Sequence, residues 1–321
     1  MRVLGLSFGR KGKNCDITVK EALVGIKEAH PDADIRFINT INLEIGHCIA
    51  CAACGKNREK IGNPMCILKD DFPFVMNEVI EADVLIIAAP VYVLGPVGQF
   101  KNFVDRQGPA HDRGFLIKEN QRRAAAGIKS MDVKYFKDRM VGLISVGGAR
   151  TENWTSFGLN GMHLLTFSMQ MTVVDQYNLY GMGDKVNPAF VPELMARMKQ
   201  LGKNVASQHG VPKLETKYFG DDEGICPVCH CNLLIVNGTT AVECPVCGTY
   251  GTMKVDGDKV SVDFPQSEID RARLRIGGVI EHCEEIKSFI PPLIEKLEKD
   301  GHLLEGLLAH QKEIVELKKG E

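Results

Sequence analysis

Three short stretches of this chain are almost unbrokenly apolar: residues 2–7 (RVLGLS), 82–89 (ADVLIIAA) and 140–146 (MVGLISV). A strand without polar alternation must be covered on both faces, as in a parallel sheet sandwiched between helices. The intervening sequence supplies the helices. The spacing of Val19, Leu23 and Ile26 predicts one over Cys15–Ala29, and helical patterns follow at Asp70–Glu81 and Gly98–Arg106. Asp34–Thr40 alternates as a strand, and a helix over 153–169, a strand over 171–177 and a helix over Pro192–Gln208 complete five strand–helix units. The expected class is α/β, a doubly wound five-stranded parallel sheet of order 2-1-3-4-5. Such a sheet binds ligands at the carboxyl ends of its strands, so the loops after strands 1 to 4 share one edge.

The first of these loops, Ser7-Phe8-Gly9-Arg10-Lys11-Gly12-Lys13-Asn14-Cys15, is glycine-rich and basic and enters a helix. Its glycines let amide groups turn inward, and the helix N-terminus favours an anion. Ser7 and Asn14 add neutral donors, and Arg10 or Lys13 adds charge. No G-x-x-x-x-G-K-[ST] and no G-x-G-x-x-G is present, which leaves a terminal monophosphate as the natural guest.

The second loop carries Cys48, Cys51, Cys54 and Cys66, spaced C-x2-C-x2-C-x11-C. Three thiolates two residues apart converge on a soft metal centre, and the fourth closes the shell; the start matches bacterial ferredoxin ligation. A 4Fe–4S cluster is the expectation, with zinc or unligated thiols as alternatives. A second set, Cys226-x2-Cys229 and Cys244-x2-Cys247, lies on the knuckles CPVCH and CPVCG. That pattern is a zinc ribbon, iron being the alternative metal. Eight of the eleven cysteines fall in these two sets, which argues for metals rather than disulfides.

A net charge of −2 gives no nucleic-acid surface. No apolar run of about 18 residues is present to cross a membrane, and the N-terminus does not read as a signal peptide, so the expected location is cytoplasmic. Domains are expected at 1–215, with the cysteine loop at 47–66, and at 222–264 for the ribbon, followed by a helical tail over 267–321 that Pro291-Pro292 breaks. The lysine- and arginine-rich stretch 107–139 reads as a solvated helical insertion.

Residues 1–210 resemble the NADPH-dependent FMN reductase and iron–sulfur flavoprotein family, which is flavodoxin-like. The matching runs are Lys69-Asp70-Asp71-Phe72, Glu81-Ala82-Asp83, Ala89-Pro90-Val91-Tyr92 and Gln99-Phe100-Lys101-Asn102-Phe103-Val104-Asp105-Arg106. The first loop keeps the family's Ser, basic residue and Asn, gains one residue, and ends in Cys15 where the family has Thr. The family's cluster-bearing members have x5 before the last cysteine, against x11 here.

The resemblance implies an FMN site in which Pro90, Val91, Tyr92, Val93, Leu94 and Gly95 pass along the ring system. Ser145, Gly147 and Gly148 would line its other side. It also implies a homodimer or homotetramer. The expected function is an FMN-dependent oxidoreductase passing electrons between a ferredoxin-like carrier or NAD(P)H, an iron–sulfur cluster and an acceptor. The alternatives are a cluster-free flavin or quinone reductase and a non-catalytic docking subunit.

Overall fold

All five predicted strands are present in the computed structural model, which describes residues 1–185, 187–220 and 226–315. They are β1 (Arg2–Ser7), β2 (Asp34–Asn39), β3 (Val84–Tyr92), β5 (Met140–Val146) and β6 (Thr172–Leu179), with a two-residue β4 (Gly95–Pro96) folding back on β3. Setting β4 aside, the order β2-β1-β3-β5-β6 is the predicted 2-1-3-4-5, and all four pairings are parallel. Strand β3 does not stop at Pro90 as its sequence implies. Strand β1 pairs only as far as Ala88, so Pro90 lies past the point where a missing N–H would break that ladder.

Helices cover both faces. One core joins α3 (Phe72–Glu81) and α4 (Gly98–His111) to the sheet through Phe72, Phe100 and Phe103. The other joins α1 (Asn14–Ala29) and α8 (Pro192–Ser207) through Val19, Ile26, Leu201 and Val205. These last two helices cross in near backbone contact. A Cβ on Gly202 would lie 1.9 Å from the Ala22 carbonyl oxygen, and one on Gly25 would lie 2.2 Å from that of Lys199.

The stretch 107–139 is not a solvated insertion. Helix α4 runs on to His111, α5 (Arg113–Ala125) follows, and Arg113, Leu116, Glu119 and Arg123 are buried. The basic residues are used internally. Buried Arg139 donates to the Val79 and Ile80 carbonyls at 3.1 and 2.6 Å, groups that the end of α3 leaves without helical partners. It also donates to Lys134 and Lys137 carbonyls. Burial, with Arg113 nearby, pushes the Arg139 guanidinium down to about 9. Arg113 likewise donates to the carbonyls of Phe136, Lys137 and Met169.

Further corrections concern the predicted 153–169 helix and the tail. The former is two short helices, α6 (Ser156–Met162) and α7 (Leu164–Ser168), meeting at His163. A four-stranded antiparallel sheet of β7 (Ile235–Val236), β8 (Ala241–Glu243), β9 (Tyr250–Asp256) and β10 (Lys259–Asp263) builds the ribbon. After α9 (Gln266–Asp270), α10 (Ile276–Asp300) continues straight through Pro291-Pro292. The carbonyls that the two prolines leave unbonded belong to Lys287 and Ser288, both exposed, so water can satisfy them. The chain forms two compact units, Met1–Val279 and Ile280–Glu321. The boundary expected near 215–222 falls partly outside the described residues. No described helix is long and apolar enough to cross a membrane.

Gly202→Ala is expected to force α1 and α8 apart and destabilise the fold by about 2 kcal/mol. Thermal unfolding should show the loss as a lowered midpoint, whereas Gly108→Ala, whose Cβ meets nothing within 4 Å, should leave the midpoint unchanged or slightly raised.

Candidate functional site

The loop after β1 and the loops after β3 and β5 enclose one cleft at the carboxyl edge. Arg10, Lys13, Asn14 and Cys15 line one side, Pro90, Val91 and Tyr92 a second, and Gly147 and Gly148 a third. Gly9, Val146, Met182 and Gly183 also line it, and the sequence reading missed them. Met182 and Gly183 arrive because the chain after β6 pairs back on the glycine loop: Met182 and Gly183 amides donate to Gly147 and Gly148 carbonyls at 3.1 and 2.9 Å. No local sequence signal marks that return.

The first loop is held in shape by local hydrogen bonds. Gly12 has φ +69°, and its amide donates to Asp16 Oδ2 at 2.7 Å, which pins the turn from inside the helix. Asn39 donates to the Gly9 carbonyl at 2.9 Å and to Asp16 Oδ1 at 2.6 Å. The first-turn amides of α1 have no intrahelical acceptor and open beside Arg10 and Lys13, the arrangement that binds a phosphate. Cys15 does not replace a hydroxyl donor in any simple way. Its thiol is buried, a Cβ on Gly9 would meet its Sγ at 2.7 Å, and burial, reinforced by Asp16, pushes it up to about 12.

Several predicted residues stand back from the cleft. Ser7 is buried beneath the loop, its Oγ accepting the Gly9 amide at 3.4 Å. Ser145 is fully buried, and its Oγ has no partner. Val93 and Leu94 form the tip of the β3–β4 hairpin at φ 49° and 71°, and Gly95 begins β4. Left-handed backbone at a β-branched residue is strained, and Val93 is 99 % exposed, so the tip is held by the pairing beneath it. The segment after Gly148 returns over this hairpin. Gly147 leaves room for Thr155, Gly158 abuts Val91, and Gly161 abuts Pro96. Trp154 and Phe157 flank those contacts and remain exposed, as does Tyr92.

The four cysteines of the second loop are not drawn together round a single ion. Cys48 and Cys51 are exposed, and Cys54 and Cys66 are half-buried. Burial first, then the neighbouring Cys66 and Cys48 sulfurs, push the Cys54 thiol up against the opposing Gly55 amide and Arg58. Between the cysteines, Ala50 and Ala52 adopt φ 53° and 56°. Each costs about 1 kcal/mol in an L-residue. Left-handed residues of this kind turn backbone amides inward, a concavity suited to an anionic iron–sulfur centre. The loop thus fits a cluster broader than one ion.

The long spacer is no loose loop. It folds as α2 (Ala53–Ile61), ends at Gly62 with φ 70°, and packs Arg58 5.0 Å over the Phe115 ring. Buried Arg106 ties the far end down. It pairs with Asp70 through both Nη atoms, donates to Cys66 Sγ at 3.4 Å and to the Gly46 carbonyl at 3.3 Å, and lies 4.3 Å over Phe72. Asp105, its neighbour in α4, pairs with Lys101. Burial works against the Asp70 carboxylate, but Arg106 and the Gly46 and Phe72 amides together hold it below its usual range.

The ribbon cysteines differ from that loop. Cys226, Cys229, Cys244 and Cys247 are buried, with all four sulfurs within 4.8 Å of one another. A tetrahedral ion with bonds of about 2.3 Å to sulfur needs separations of about 3.8 Å, so one ion fits. Among the described residues no other Cys, His, Asp or Glu set reaches that spacing. The two knuckles repeat one another. The His230 and Gly248 amides each donate 2.9 Å to the carbonyl of their first cysteine, and the Cys226 and Cys244 amides donate to the Cys231 and Thr249 carbonyls. Cys231 is therefore the counterpart of Thr249, whose Oγ1 lies 2.9 Å from Cys247 Sγ.

This fold, with its glycine-rich loop and cleft at the switch edge, has counterparts among known proteins. The sequence model of the NADPH-dependent FMN reductase family matches residues 1–181. The chain belongs to that family. A flavone synthase of Aspergillus candidus is 31 % identical over 298 residues, 89 % of each chain. An iron–sulfur flavoprotein of Methanosarcina thermophila is 34 % identical over 119 residues, 37 % of this chain and 58 % of that one. A solved flavone reductase superposes with a TM-score of 0.83 at 25 % identity, covering 99 % of this chain and all of that one, so its likeness extends through the ribbon and the tail. The family assignment makes the chain a flavodoxin-like, FMN-binding oxidoreductase.

Two outcomes test this site. Asp70→Asn should loosen residues 46–66, and Arg106→Met, which strands the buried carboxylate, should destabilise by about 3 kcal/mol. Because Asp70 is held below its usual range, its contribution is full above the ordinary carboxylate pKa of about 4 and is lost as pH falls through its lowered value. The gap in thermal midpoint between wild type and Asp70→Asn should therefore close in acid. In the ribbon, Cys244→Ser should release the metal and open 226–262 to protease while FMN stays bound; bound metal and limited proteolysis report this.

Proposed function

We propose that the protein is an FMN-dependent oxidoreductase that exchanges two electrons with a flavone-type acceptor, a planar aromatic ketone with a conjugated C=C bond. The observation that carries this reading is exposed aromatic surface at and next to the cleft. Tyr92 lines the cleft and is 54 % exposed, while Trp154 and Phe157, 63 and 54 % exposed, belong to the segment whose Thr155 and Gly158 pack on Gly147 and Val91 of its walls. Exposed aromatic side chains beside a cleft suit a flat hydrophobic guest. The near full-length likeness to a flavone synthase and a flavone reductase supports the same class, since making and reducing a flavone are one interconversion read in two directions.

In the reducing direction NAD(P)H and one proton saturate the C=C bond and leave NAD(P)⁺. FMN would supply the junction, because it exchanges electrons singly or in pairs. The chain's part is position and field. Arg10, Lys13 and the α1 amides would hold the phosphate, while the Pro90–Tyr92 and Gly147–Gly148 backbones would frame the ring. Cys48, Cys51, Cys54 and Cys66 would hold a 4Fe–4S cluster that admits electrons from a ferredoxin-like carrier, and the ribbon cysteines would hold a structural zinc. A homodimer is the assembly we favour, with the exposed aromatic surface at its interface.

Anaerobically purified protein should show the two FMN bands with a broad brown shoulder, and should consume NAD(P)H only when a flavone is added. Cys51→Ser should lower iron and acid-labile sulfide together, leave FMN bound and slow carrier-dependent reduction by at least tenfold. Wild type without iron in this loop would remove the cluster. Protein that binds FMN but turns over no flavone in either direction would remove the acceptor assignment.

A further inference from the structure

A second cleft, of about 300 Å³, opens between the edge strand β6, helix α6 and the first knuckle of the ribbon. It meets the lower bound of pockets that hold small molecules. Glu152, Asn160, Gln176, Asn178, Tyr180 and His230 are among its walls, and no Lys or Arg is among its described lining. Glu152 belongs to the same turn as Trp154, at the start of the segment whose Thr155 and Gly158 pack on Gly147 and Val91 of the first cleft.

Two buried polar atoms of these walls have no hydrogen-bond partner, Asn178 Oδ1 and His230 Nδ1, whereas the Gln176 side chain also engages the buried His163 ring. Buried polar atoms are rarely left so, and an unsatisfied one points to a missing partner. The amide orientations are fixed by their other ends. Gln176 Nε2 donates to the His230 carbonyl at 2.8 Å, and Asn178 Nδ2 donates to Glu152 Oε1 at 3.4 Å. The Asn178 amide therefore turns its oxygen to its free side, while Gln176 is held between the His230 carbonyl and the His163 ring. With the Glu152 carboxylate beside it, the Asn178 oxygen repels a phosphate or carboxylate and welcomes a neutral O–H.

His230 carries the second line of argument. It sits at φ 60°, the left-handed position that the equivalent knuckle fills with Gly248 at φ 70°. A glycine would meet the metal loop's backbone requirement without strain. The imidazole instead stacks on Tyr218, centroids 3.5 Å apart and planes within 2°. The ribbon is also locked to the cleft by Asn160 Nδ2 donating to Asn232 Oδ1 at 2.9 Å. The metal knuckle thus delivers one wall of the pocket, and a strained non-glycine residue at such a place is a mark of function.

We propose that this cleft recognises the hydroxyl groups of a planar phenolic acceptor, with Asn178 and His230 taking its hydrogen bonds. The inference deepens the acceptor half of the proposed function and rests on it. It also gives the ribbon a second task, to hold a specificity wall beside the redox site.

The test uses full-length, FMN- and metal-loaded protein without reductant, and two probes, 5,7,4′-trihydroxyflavone and unsubstituted flavone. Equilibrium Kd values are read by fluorescence quenching. Wild type should bind the trihydroxy compound at least tenfold more tightly. His230→Gly, which installs the residue that the second knuckle already uses, should erase most of that preference while bound metal and FMN stay unchanged. Asn178→Leu should do the same without touching the ribbon. Equal binding of the two probes by wild type would overturn the proposal, as would a preference unchanged in both variants. Hydroxyl-dependent binding through His230 without flavone turnover would uphold the cleft and defeat the enzymatic reading. Flavone turnover with a preference indifferent to both substitutions would do the reverse.

Discussion

A parallel sheet covered on both faces leaves its strands nothing to do but pack. The central strands β1, β3 and β5 are buried against α1 and α8 on one side and α3 and α4 on the other, while the edge strand β2 leaves Asp34 and Arg36 exposed. The backbone groups that remain free are those where strands end. Chemistry therefore collects at the carboxyl edge, where the β1 loop, the cysteine loop, the β3 hairpin and the β5 glycines emerge side by side. The backbone contact of Gly25 and Gly202 sets how closely α1 lies on α8, and thus where the phosphate loop points.

Arginine is the second organising element. Arg139, Arg113 and Arg106 are buried; the first two spend their donors on backbone carbonyls, and Arg106 on the Asp70 carboxylate, the Cys66 sulfur and the Gly46 carbonyl. A planar fork with five donors can close several orphaned groups at once. Arg139 finishes α3, Arg113 staples the 133–138 turn to α7, and Arg106 holds the cysteine loop through Asp70 and Cys66. These groups read as surface charge in the sequence. In the fold they stand in for water where the added helices α4 and α5 shut it out.

The two cysteine sets show how one residue type serves two geometries. In the ribbon, paired knuckles bring four sulfurs to single-ion spacing inside a small core. In the β2 loop, left-handed alanines open the chain, and the sulfurs stay at the rim. The first arrangement suits a structural ion in a module too small to rest on apolar burial alone. The second suits a centre that must trade electrons with the outside.

Sequence alone settled the α/β class, the strand order, the glycine-rich loop at the cleft and the ribbon, because each rests on local chemistry: apolar period, glycine spacing, paired cysteines. Arg10, Lys13, Asn14, Cys15, Pro90, Val91, Tyr92, Gly147 and Gly148 were legible as cleft residues for that reason. Met182 and Gly183 were not, since only the return of the chain past β6 brings them there. The fate of the basic stretch 107–139 and of the eleven-residue spacer was equally hidden, as was the wall that His230 builds against β6. Each depends on which distant carbonyl, ring or strand edge lies opposite. That is decided by packing between elements far apart in the chain, and no local pattern records it.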